Sequence, residues 1–258
     1  MGMYPLSLLE SRVAAQGMEL CIDSRKATPG CVFVALPGSS ADGSQFIADA
    51  VARGAGYVVC RPESAGNCGE AEVVDCADPR QALGLLARAR YGTASLPFPV
   101  VGVTGTNGKT TTTYLVEHIA RVAGKRTGVI GTVGIRIGDE AEKSAHTTPE
   151  SPDLQQLFAR MRDARCDVVA MEVSSHALDL DRTWDAAFAV TAFSNLTQDH
   201  LDYHHTFEAY FEAKARLFSK DYPARRVICI DDKWGKELLR RCSVAEDNVV
   251  TTGFDPSA

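Results

Sequence analysis

The stretch from Val100 to Thr113 constrains this chain more than any other part of it. A short apolar run leads into a glycine-rich turn, and a Lys-Thr pair then opens a segment with helical spacing. Strand, glycine turn and helix N-terminus together form a phosphate-binding loop, because backbone amides converge on the anion and the helix dipole favours negative charge. Lys109 is placed to reach terminal phosphates, and the Thr110 hydroxyl to hold Mg²⁺. The apolar residues on one face of the predicted helix are Leu115, Ile119 and Val122.

The glycine spacing departs from the common nucleotide-binding pattern. That pattern has four residues between its first glycine and its Gly-Lys pair, and Val103 occupies the first position here. The alternative is an ordinary glycine turn followed by a chance lysine. Because strand, loop, Lys-Thr and helix occur in the expected order, we favour the phosphate loop and predict ATP as its ligand.

Length, charge and cysteine content limit the kinds of partner and the cellular compartment that we expect for this protein. The chain has 258 residues, enough for two domains. Its net charge is −6 and it has no basic run, which argues against nucleic acid as a partner. No apolar run is long enough to span a membrane, and the start lacks the features of a secretory signal. The 8 cysteines include no Cys-x-x-Cys pair, so we expect buried thiols in a cytoplasmic protein.

The pattern of elements predicts an α/β protein with two domains. A small N-terminal α/β domain covers residues 1–93, and a mostly parallel, phosphate-loop sheet domain covers 94–258, with the boundary in the Pro-containing link Gly92–Pro99. Continuous apolar strands separated by helices predict a sheet covered on both faces. The predicted helices are Leu6–Ala15, Phe46–Ala52, Pro79–Tyr91, Pro152–Arg162, Thr206–Phe218 and Lys233–Cys242. The predicted strands are Cys31–Leu36, Tyr57–Cys60, Glu72–Asp75, Thr127–Thr132, Asp167–Val173, Ala187–Phe193 and Val227–Ile230.

Two short stretches of the first domain are candidate ligand sites. Asp23–Arg25 offers a hydroxyl and a guanidinium, and the small-residue loop Gly38–Gly43 would let backbone amides approach a nucleotide or sugar. Taken alone, such a stretch is more often ordinary turn chemistry than a ligand site. Composition leaves both interpretations open.

Polar residues at the ends of apolar strands point to chemistry in the second domain. Ligands bind at the carboxyl ends of strands in such sheets, and Glu172 lies near the end of one of them. A carboxylate in an apolar strand is costly unless it is compensated, and Mg²⁺ beside the phosphate loop would compensate it. The alternative is a frayed strand end that meets solvent.

Three further features allow more than one interpretation. The His and Asp residues of Ser194–His205 fit a di-metal hydrolase, or an exposed loop with capping Asp and stacked His residues. Ser175 and His176 are conceivable as nucleophile and base, although neighbours in sequence rarely have that geometry. Lys214 lies in a helical stretch, where most lysines are solvated. The residues alone therefore indicate an ATP- and Mg²⁺-dependent α/β enzyme.

Taken together, the motifs resemble the Mur ligases of peptidoglycan synthesis, and among them the MurE type. The likeness extends over nearly the whole chain, and the combination is far more specific than any single motif. The stretches that carry it are Asp23–Arg25, Pro29–Leu36, Ala41–Gly43, Gly102–Thr112, His146–Glu150, Met171–Leu178, Asn195–His204 and Tyr210–Phe218.

The resemblance implies roles for particular residues. It assigns the UDP part of the substrate to Ile22, Ser24, Ser39, Ser40 and Ala41. It assigns ATP to Gly105, Thr106, Asn107, Gly108, Lys109, Thr110 and Thr111. It assigns the muramoyl-dipeptide to Thr147, Thr148, Ser175 and Arg182, and Mg²⁺ to Thr110, Glu172 and His200. Lys214 matches a lysine that family members carbamylate to bind a second Mg²⁺. Some members carry glutamine at the position of Leu180, and some carry histidine near Ser39.

The implied reaction joins UDP-N-acetylmuramoyl-L-Ala-D-Glu to an amino acid, meso-diaminopimelate or L-lysine, through an acyl phosphate. The catalytic residues would be Lys109, Glu172, His200 and Lys214, in a monomeric enzyme. The resemblance implies a three-domain architecture, as in the Mur ligases, and we expect the C-terminal domain to be missing from this chain. Two other hypotheses stay open: a chain that binds UDP-substrate or nucleotide without turnover, and an unrelated phosphate-loop NTPase.

Overall fold

The computed structural model describes residues 4–38, 42–242 and 248–254 and divides the chain into two compact units. The first comprises Met1–Ala94 with Ser151–Gln156, and the second comprises Ser95–Glu150 with Leu157–Ala258. Among the described residues, no helix is both long and apolar enough to cross a bilayer. The functional assignment of 1–93 to UDP-substrate and 94–258 to ATP stays a prediction.

The first unit is built on a small parallel sheet. In its described residues four strands lie in the order β1-β2-β3-β4, and all neighbours are parallel. The strands are β1 Leu20–Cys21, β2 Val32–Val34, β3 Tyr57–Cys60 and β4 Glu72–Asp75, and the helices are α1 Leu6–Gln16, α2 Ile47–Ala52 and α3 Pro79–Tyr91. Alternate strand residues face two apolar clusters, one with α1 and α3 and the other with α2.

Local sequence explains the limits of α3. The Asp78 side chain accepts hydrogen bonds from the amides of Arg80 and Gln81, and Pro79 occupies the first turn. Gly92 ends the helix at φ 61°, a left-handed conformation that glycine adopts without strain. The helix therefore begins and ends where its own capping residues stand.

The second unit is built on a larger, mostly parallel sheet. Its described strands lie in the order β12-β11-β10-β5-β9-β6-β7-β8, and β6-β7 and β7-β8 pair antiparallel. The strands are β5 Val100–Thr104, β6 Thr127–Gly131, β7 Gly134–Ile137, β8 Glu140–Glu142, β9 Val168–Glu172, β10 Val190–Phe193, β11 Arg225–Cys229 and β12 Val249–Thr252. The helices that follow β5 along the chain are α4 Lys109–Val122, α5 Ser151–Asp163, α6 Ser175–Asp179, α7 Leu201–His204, α8 Phe207–Ala215 and α9 Lys233–Cys242. The first residues of α5, Ser151–Gln156, belong to the first unit.

This arrangement confirms the predicted fold class. Strand β5 lies between β10 and β9, so the turn after β5 and Glu172 at the end of β9 are at the same edge of the sheet. Parallel pairing brings together the carboxyl ends at which such sheets bind ligands. The fold therefore places the phosphate loop beside the strand ends that carry the polar residues.

Helix α4 forms where its spacing predicts, but the apolar face that revealed it is exposed. Leu115, Ile119 and Val122 are 55%, 67% and 76% exposed. The buried face instead holds Thr113 and Glu117. Glu117 accepts a hydrogen bond from Arg136 of β7, 3.3 Å away, so an ion pair replaces apolar packing on the inner face. Periodicity locates a helix, whereas the neighbouring strand decides which face is covered.

The cysteines form no disulfide. All eight lie in the described part of the chain and are free thiols, and six of them are buried. Burial raises the pKa of Cys60 to about 12 and that of Cys76 to about 11, so these thiols stay protonated at neutral pH. Five belong to the first unit and three to the second.

Candidate active site

The phosphate loop is a tight turn between β5 and α4. Gly105 has φ 145° and Gly108 has φ 85°, conformations that favour glycine. A Cβ atom on Gly105 would lie 2.0 Å from the Ser194 Oγ, so a side chain has no room there. Helix α4 begins at Lys109, directly after the turn. The first helical amides lack intrahelical acceptors, which makes the helix start a site for an anion.

The turn is bonded to the segment that follows β10. The amide of Thr106 donates to the Asn195 carbonyl at 2.9 Å, and the amide of Asn107 donates to the Asn195 Oδ1 at 3.0 Å. The buried Thr106 hydroxyl accepts from the Thr197 amide at 3.0 Å. Two of the predicted ATP-binding residues thus use their amides within the protein. The amides available to phosphate are those from Gly108 to Thr111, because the Thr112 amide donates to the Gly108 carbonyl.

Two lysines meet at one carbonyl oxygen of the loop. The Nζ of Lys109 donates to the carbonyls of Gly105 and Thr106, each at 2.8 Å, and the Nζ of Lys214 donates to the same Gly105 oxygen at 2.8 Å. Lys214 is 1% exposed, and its Nζ lies 4.4 Å from the centre of the Tyr210 ring. Burial lowers the pKa of Lys109, and it lowers that of Lys214 strongly. Lys214 is therefore not the solvated lysine that its helical context suggests.

Glu172 lies buried at the floor of the site. Its side chain is 1% exposed, so the alternative of a frayed end in solvent is wrong. Its Oε1 accepts from the Thr110 hydroxyl and from the Thr132 amide, both at 2.9 Å, and its Oε2 accepts from the Thr132 hydroxyl at 3.2 Å. Sequence reasoning missed Thr132, although its place directly after β6 at the same sheet edge was a usable signal.

Thr110 and Glu172 fit a magnesium ion. A hydroxyl that donates to a buried carboxylate keeps its oxygen lone pairs for a cation, and Mg²⁺ prefers such hard oxygen ligands together with water and phosphate. The described residues hold no group of three or more His, Cys, Asp or Glu side chains that could bind a metal by themselves. That finding gives the di-metal hydrolase interpretation no support, whereas a magnesium ion shared with a nucleotide needs no such group.

The histidines form a cluster of stacked rings. His200 packs edge-on against His176 with centroids 4.8 Å apart, and its Nε2 lies 3.4 Å from a carboxylate oxygen of Asp199. The Ser175 hydroxyl lies 2.9 Å from the Nε2 of His204. The serine thus meets a histidine from α7 rather than its neighbour in sequence. Desolvation lowers the pKa of His176 and of His204, which favours neutral rings.

These elements enclose a cavity of about 390 Å³. The predicted residues that line it are Thr106, Asn107, Gly108, Lys109, Thr110, Thr111, Thr147, Glu172, Ser175, His200 and Lys214. Thr132 and Ser174 also line it. Eleven residues chosen from separate stretches of sequence are therefore brought to one place.

Two residues predicted to contact the muramoyl-dipeptide, Thr148 and Arg182, also form hydrogen bonds within the protein. Thr148 is 1% exposed, and its hydroxyl donates to the Glu172 carbonyl at 2.9 Å and accepts from the Ser174 amide at 3.0 Å. Arg182 pairs with Glu150 at 2.8 Å and donates to the Thr148 carbonyl at 3.3 Å. The Thr148 hydroxyl thus joins β9 to the segment that precedes α5, and Arg182 is fixed at the Glu150 carboxylate.

The predicted UDP site lies in the first unit. Ile22 and Ser24 line a hollow of about 620 Å³ together with Asp23, Arg25, Phe46 and Asp49. Asp23 accepts two side-chain hydrogen bonds from Arg25, which hold the pKa of this carboxyl at about 2. Ser39, Ser40 and Ala41, predicted for the same ligand, lie outside the described residues.

Family comparisons identify the architecture. The Mur ligase middle-domain model matches residues 103–258, and the model of the Mur ligase catalytic domain matches 19–91. This chain belongs to the Mur ligase family. The resemblance inferred from the motifs is confirmed.

Individual relatives are of the MurE type. A UDP-N-acetylmuramoyl-L-alanyl-D-glutamate–2,6-diaminopimelate ligase from Lawsonia intracellularis is 51% identical over 243 residues, which is 93% of this chain and 50% of that protein. A protein of the same name from Streptomyces coelicolor is 45% identical, over 86% of this chain and 44% of its own length. The chain spans about half the length of the curated relatives it matches.

Solved structures agree with this assignment. A structure of a diaminopimelate ligase of the same name superposes with a TM-score of 0.78 at 31% identity, covering 92% of this chain and 48% of that one. MurF from Thermotoga maritima superposes with a TM-score of 0.55 at 21% identity, covering 95% of this chain and 50% of that one, and it shares the fold.

Proposed function

We propose that this chain provides the UDP-substrate and ATP sites of a MurE-type ligase of peptidoglycan precursor synthesis. The enzyme would add a diamino acid, meso-diaminopimelate or L-lysine, to UDP-N-acetylmuramoyl-L-Ala-D-Glu. The observation that carries the proposal is the bond between Thr110 and the buried Glu172 inside the phosphate-loop cavity. The names of the relatives, all diaminopimelate ligases, support diaminopimelate as the added amino acid.

The residues of the cavity would bind ATP by its phosphates. The amides from Gly108 to Thr111 and the ammonium of Lys109 would neutralise the β- and γ-phosphates. Thr110, Glu172 and His200 would hold Mg²⁺, and Lys214 would hold a second ion once carbamylated. Mur ligases use ATP and Mg²⁺, and the bound metal supplies positive charge that offsets charge on the transferring phosphoryl group.

The reaction would proceed in two transfers. The D-Glu carboxylate attacks the γ-phosphorus of ATP, the bond to the β-phosphate oxygen breaks, and ADP leaves. The amine of the incoming amino acid then attacks the acyl carbon, loses a proton and expels phosphate, which leaves an amide. Lys109 and the helix N-terminus stabilise the charge that spreads over the transferring oxygens, so the protein needs no covalent nucleophile.

The two substrates would be held by different parts of the chain. Ile22 and Ser24, with the loop of Ser39, Ser40 and Ala41, would bind the UDP group. Thr147 and Ser175 line the cavity and would orient the dipeptide, with the Ser175 hydroxyl fixed by His204. Thr148 and Arg182 would act by positioning Glu172 and the Glu150 segment, as their hydrogen bonds within the protein suggest.

We propose that the enzyme acts as a monomer in the cytoplasm and binds neither nucleic acid nor membrane. The reduced cysteines support a reducing compartment, and the net charge of −6 opposes binding to polyanions.

Phosphate release from ATP tests the proposal. We expect phosphate release that depends on both UDP-N-acetylmuramoyl-dipeptide and diaminopimelate or lysine. Lys109→Ala should abolish this release, and Lys125→Ala, at an exposed lysine, is the matched control that should retain it. Turnover without the peptide substrate would instead identify a phosphate-loop NTPase. Binding of the UDP-substrate without turnover would support the alternative in which this chain binds its ligands but does not catalyse the reaction.

A further inference from the structure

Asn195 bonds to the main chain of the phosphate loop at three points. Its carbonyl accepts from the Thr106 amide at 2.9 Å. Its side-chain Oδ1 accepts from the Asn107 amide at 3.0 Å, and its Nδ2 donates to the Asn107 carbonyl at 3.1 Å. One carboxamide thus satisfies both the donor and the acceptor of a single loop residue, as a neighbouring strand would.

The segment that carries Asn195 is itself fixed on both sides. The Ser194 hydroxyl donates to the same Asn107 carbonyl at 2.6 Å. The Leu196 amide donates to Asp232 at 2.8 Å, and the Thr197 amide donates to the Thr106 hydroxyl at 3.0 Å. Asn195 is therefore attached to a rigid support, and it transmits that rigidity to the turn.

The bonds matter because of the shape of the turn. The residue after Asn107 is Gly108 at φ 85°, and the helix with its open amides begins one residue later. A glycine turn left to itself samples many conformations, so converging amides must be held in place before the anion arrives. The Asn107 peptide, clamped at both its N–H and its C=O, supplies that restraint.

We propose that Asn195 is a positioning residue for the polyphosphate: its carboxamide holds the Asn107 peptide so that the amides from Gly108 to Thr111 converge on the anion. The inference rests on the proposed nucleotide site. The chemistry requires an amide, because aspartate would keep the acceptor but lose the donor to the Asn107 carbonyl. It would also add a negative charge beside the phosphates.

Calorimetric titration of the full chain with Mg-ATP and with inorganic tripolyphosphate tests this role. Asn195→Ala should weaken both ligands by the same factor, about tenfold or more, as expected for the loss of two hydrogen bonds that hold the Asn107 main chain. Asn195→Asp should also weaken both, and tripolyphosphate more than Mg-ATP, because the added charge repels the more highly charged ligand more strongly. Gln198→Ala, an exposed residue of the same segment, is the matched control and should bind as the unaltered chain does. The thermal midpoint of unfolding should stay close to that of the control.

The amide resonances of Asn107 and Gly108 provide a second measurement in case one variant is destabilised. They should shift in Asn195→Asp while those of the first unit stay in place. Binding of both ligands within twofold of the unaltered chain would overturn the positioning role. A loss of affinity for ATP with unchanged affinity for tripolyphosphate would also overturn it. So would a loss of affinity for both ligands that is accompanied by a lower thermal midpoint of unfolding. Absence of ATP and tripolyphosphate binding by the unaltered chain would overturn the proposed nucleotide site, and this inference with it.

Discussion

Replacing Glu172 by glutamine should separate the structural role of this side chain from its role in metal binding. In Glu172→Gln, the remaining oxygen keeps the donors from Thr110 and Thr132. The new amide then faces the Thr132 hydroxyl, which can turn its proton toward the Thr147 hydroxyl 3.0 Å away. Every group keeps a partner, so we expect a loss of about 1 kcal/mol or less in the free energy of unfolding. Glu172→Ala removes the acceptor of the Thr110 hydroxyl and of the Thr132 amide and leaves a cavity at a buried side chain, so it should cost about 2 kcal/mol or more.

The Glu172→Gln substitution should have opposite effects on ATP affinity in the absence and in the presence of magnesium. Without the metal, Glu172 repels the phosphates; two unit charges about 6 Å apart interact by roughly 3 kcal/mol at an effective dielectric constant of 20. The glutamine variant should therefore bind ATP more tightly in EDTA, by about tenfold or more after partial screening. In the unaltered chain Mg²⁺ should strengthen ATP binding, and in the variant that enhancement should largely disappear.

The assay is calorimetric titration with ATP, in EDTA and in excess MgCl₂, alongside chemical unfolding. Glu208→Gln, at an exposed carboxylate, is the matched control and should behave as the unaltered chain. If Mg²⁺ strengthens binding by the same factor in Glu172→Gln and in the unaltered chain, Glu172 takes no part in the metal site, and the reasoning fails.

Three further predictions concern neighbouring groups. In Gly131→Ala the added Cβ would lie 2.3 Å from the Glu172 Oε1, so the carboxylate must move and the magnesium enhancement of ATP binding should fall; an unchanged enhancement would contradict this. Lys109→Ala should abolish ATP binding in calorimetry and leave UDP-substrate binding intact, whereas loss of both would argue against separate sites. Burial holds the pKa of Lys214 in the folded state well below its usual value of 10.5. Between the folded-state pKa and 10.5 the unfolded state binds more protons than the folded state, so the free energy of unfolding rises with pH. The urea midpoint of the unaltered chain should therefore rise relative to Lys214→Met from about pH 7 to pH 9, and a constant difference would count against the shifted pKa.

Elements with their own local signals could be predicted from sequence to the residue. Helix α3 has proline in its first turn and glycine after its last, and Pro79–Tyr91 is both the predicted and the observed range. Strand β1 is 2 residues long, and β8 is the 3 exposed residues Glu140–Glu142. Neither contains a period that could be read, so both depend on pairing with their neighbours in the sheet.

The residues of the candidate site likewise differ in whether a local sequence signal identifies them. Residues bound to a motif, such as Lys109 and Thr110, could be named because strand, turn and helix place them by connectivity. The role of Asn195 and the pairing of Ser175 with His204 could not, because each depends on a hydrogen bond between segments at least 29 residues apart, which only the folded chain brings together. Thr132 had a usable signal in its place directly after β6, although its bond to Glu172 also joins distant segments.

The distribution of the thiols has a practical consequence for following how the chain opens. A cysteine that is buried and protonated reacts with an alkylating reagent chiefly after its surroundings open. Four of the buried cysteines lie in the first unit and two in the second. A pulse of reagent followed by peptide mapping therefore measures the opening rate of each unit separately, in the unaltered protein and without an added probe.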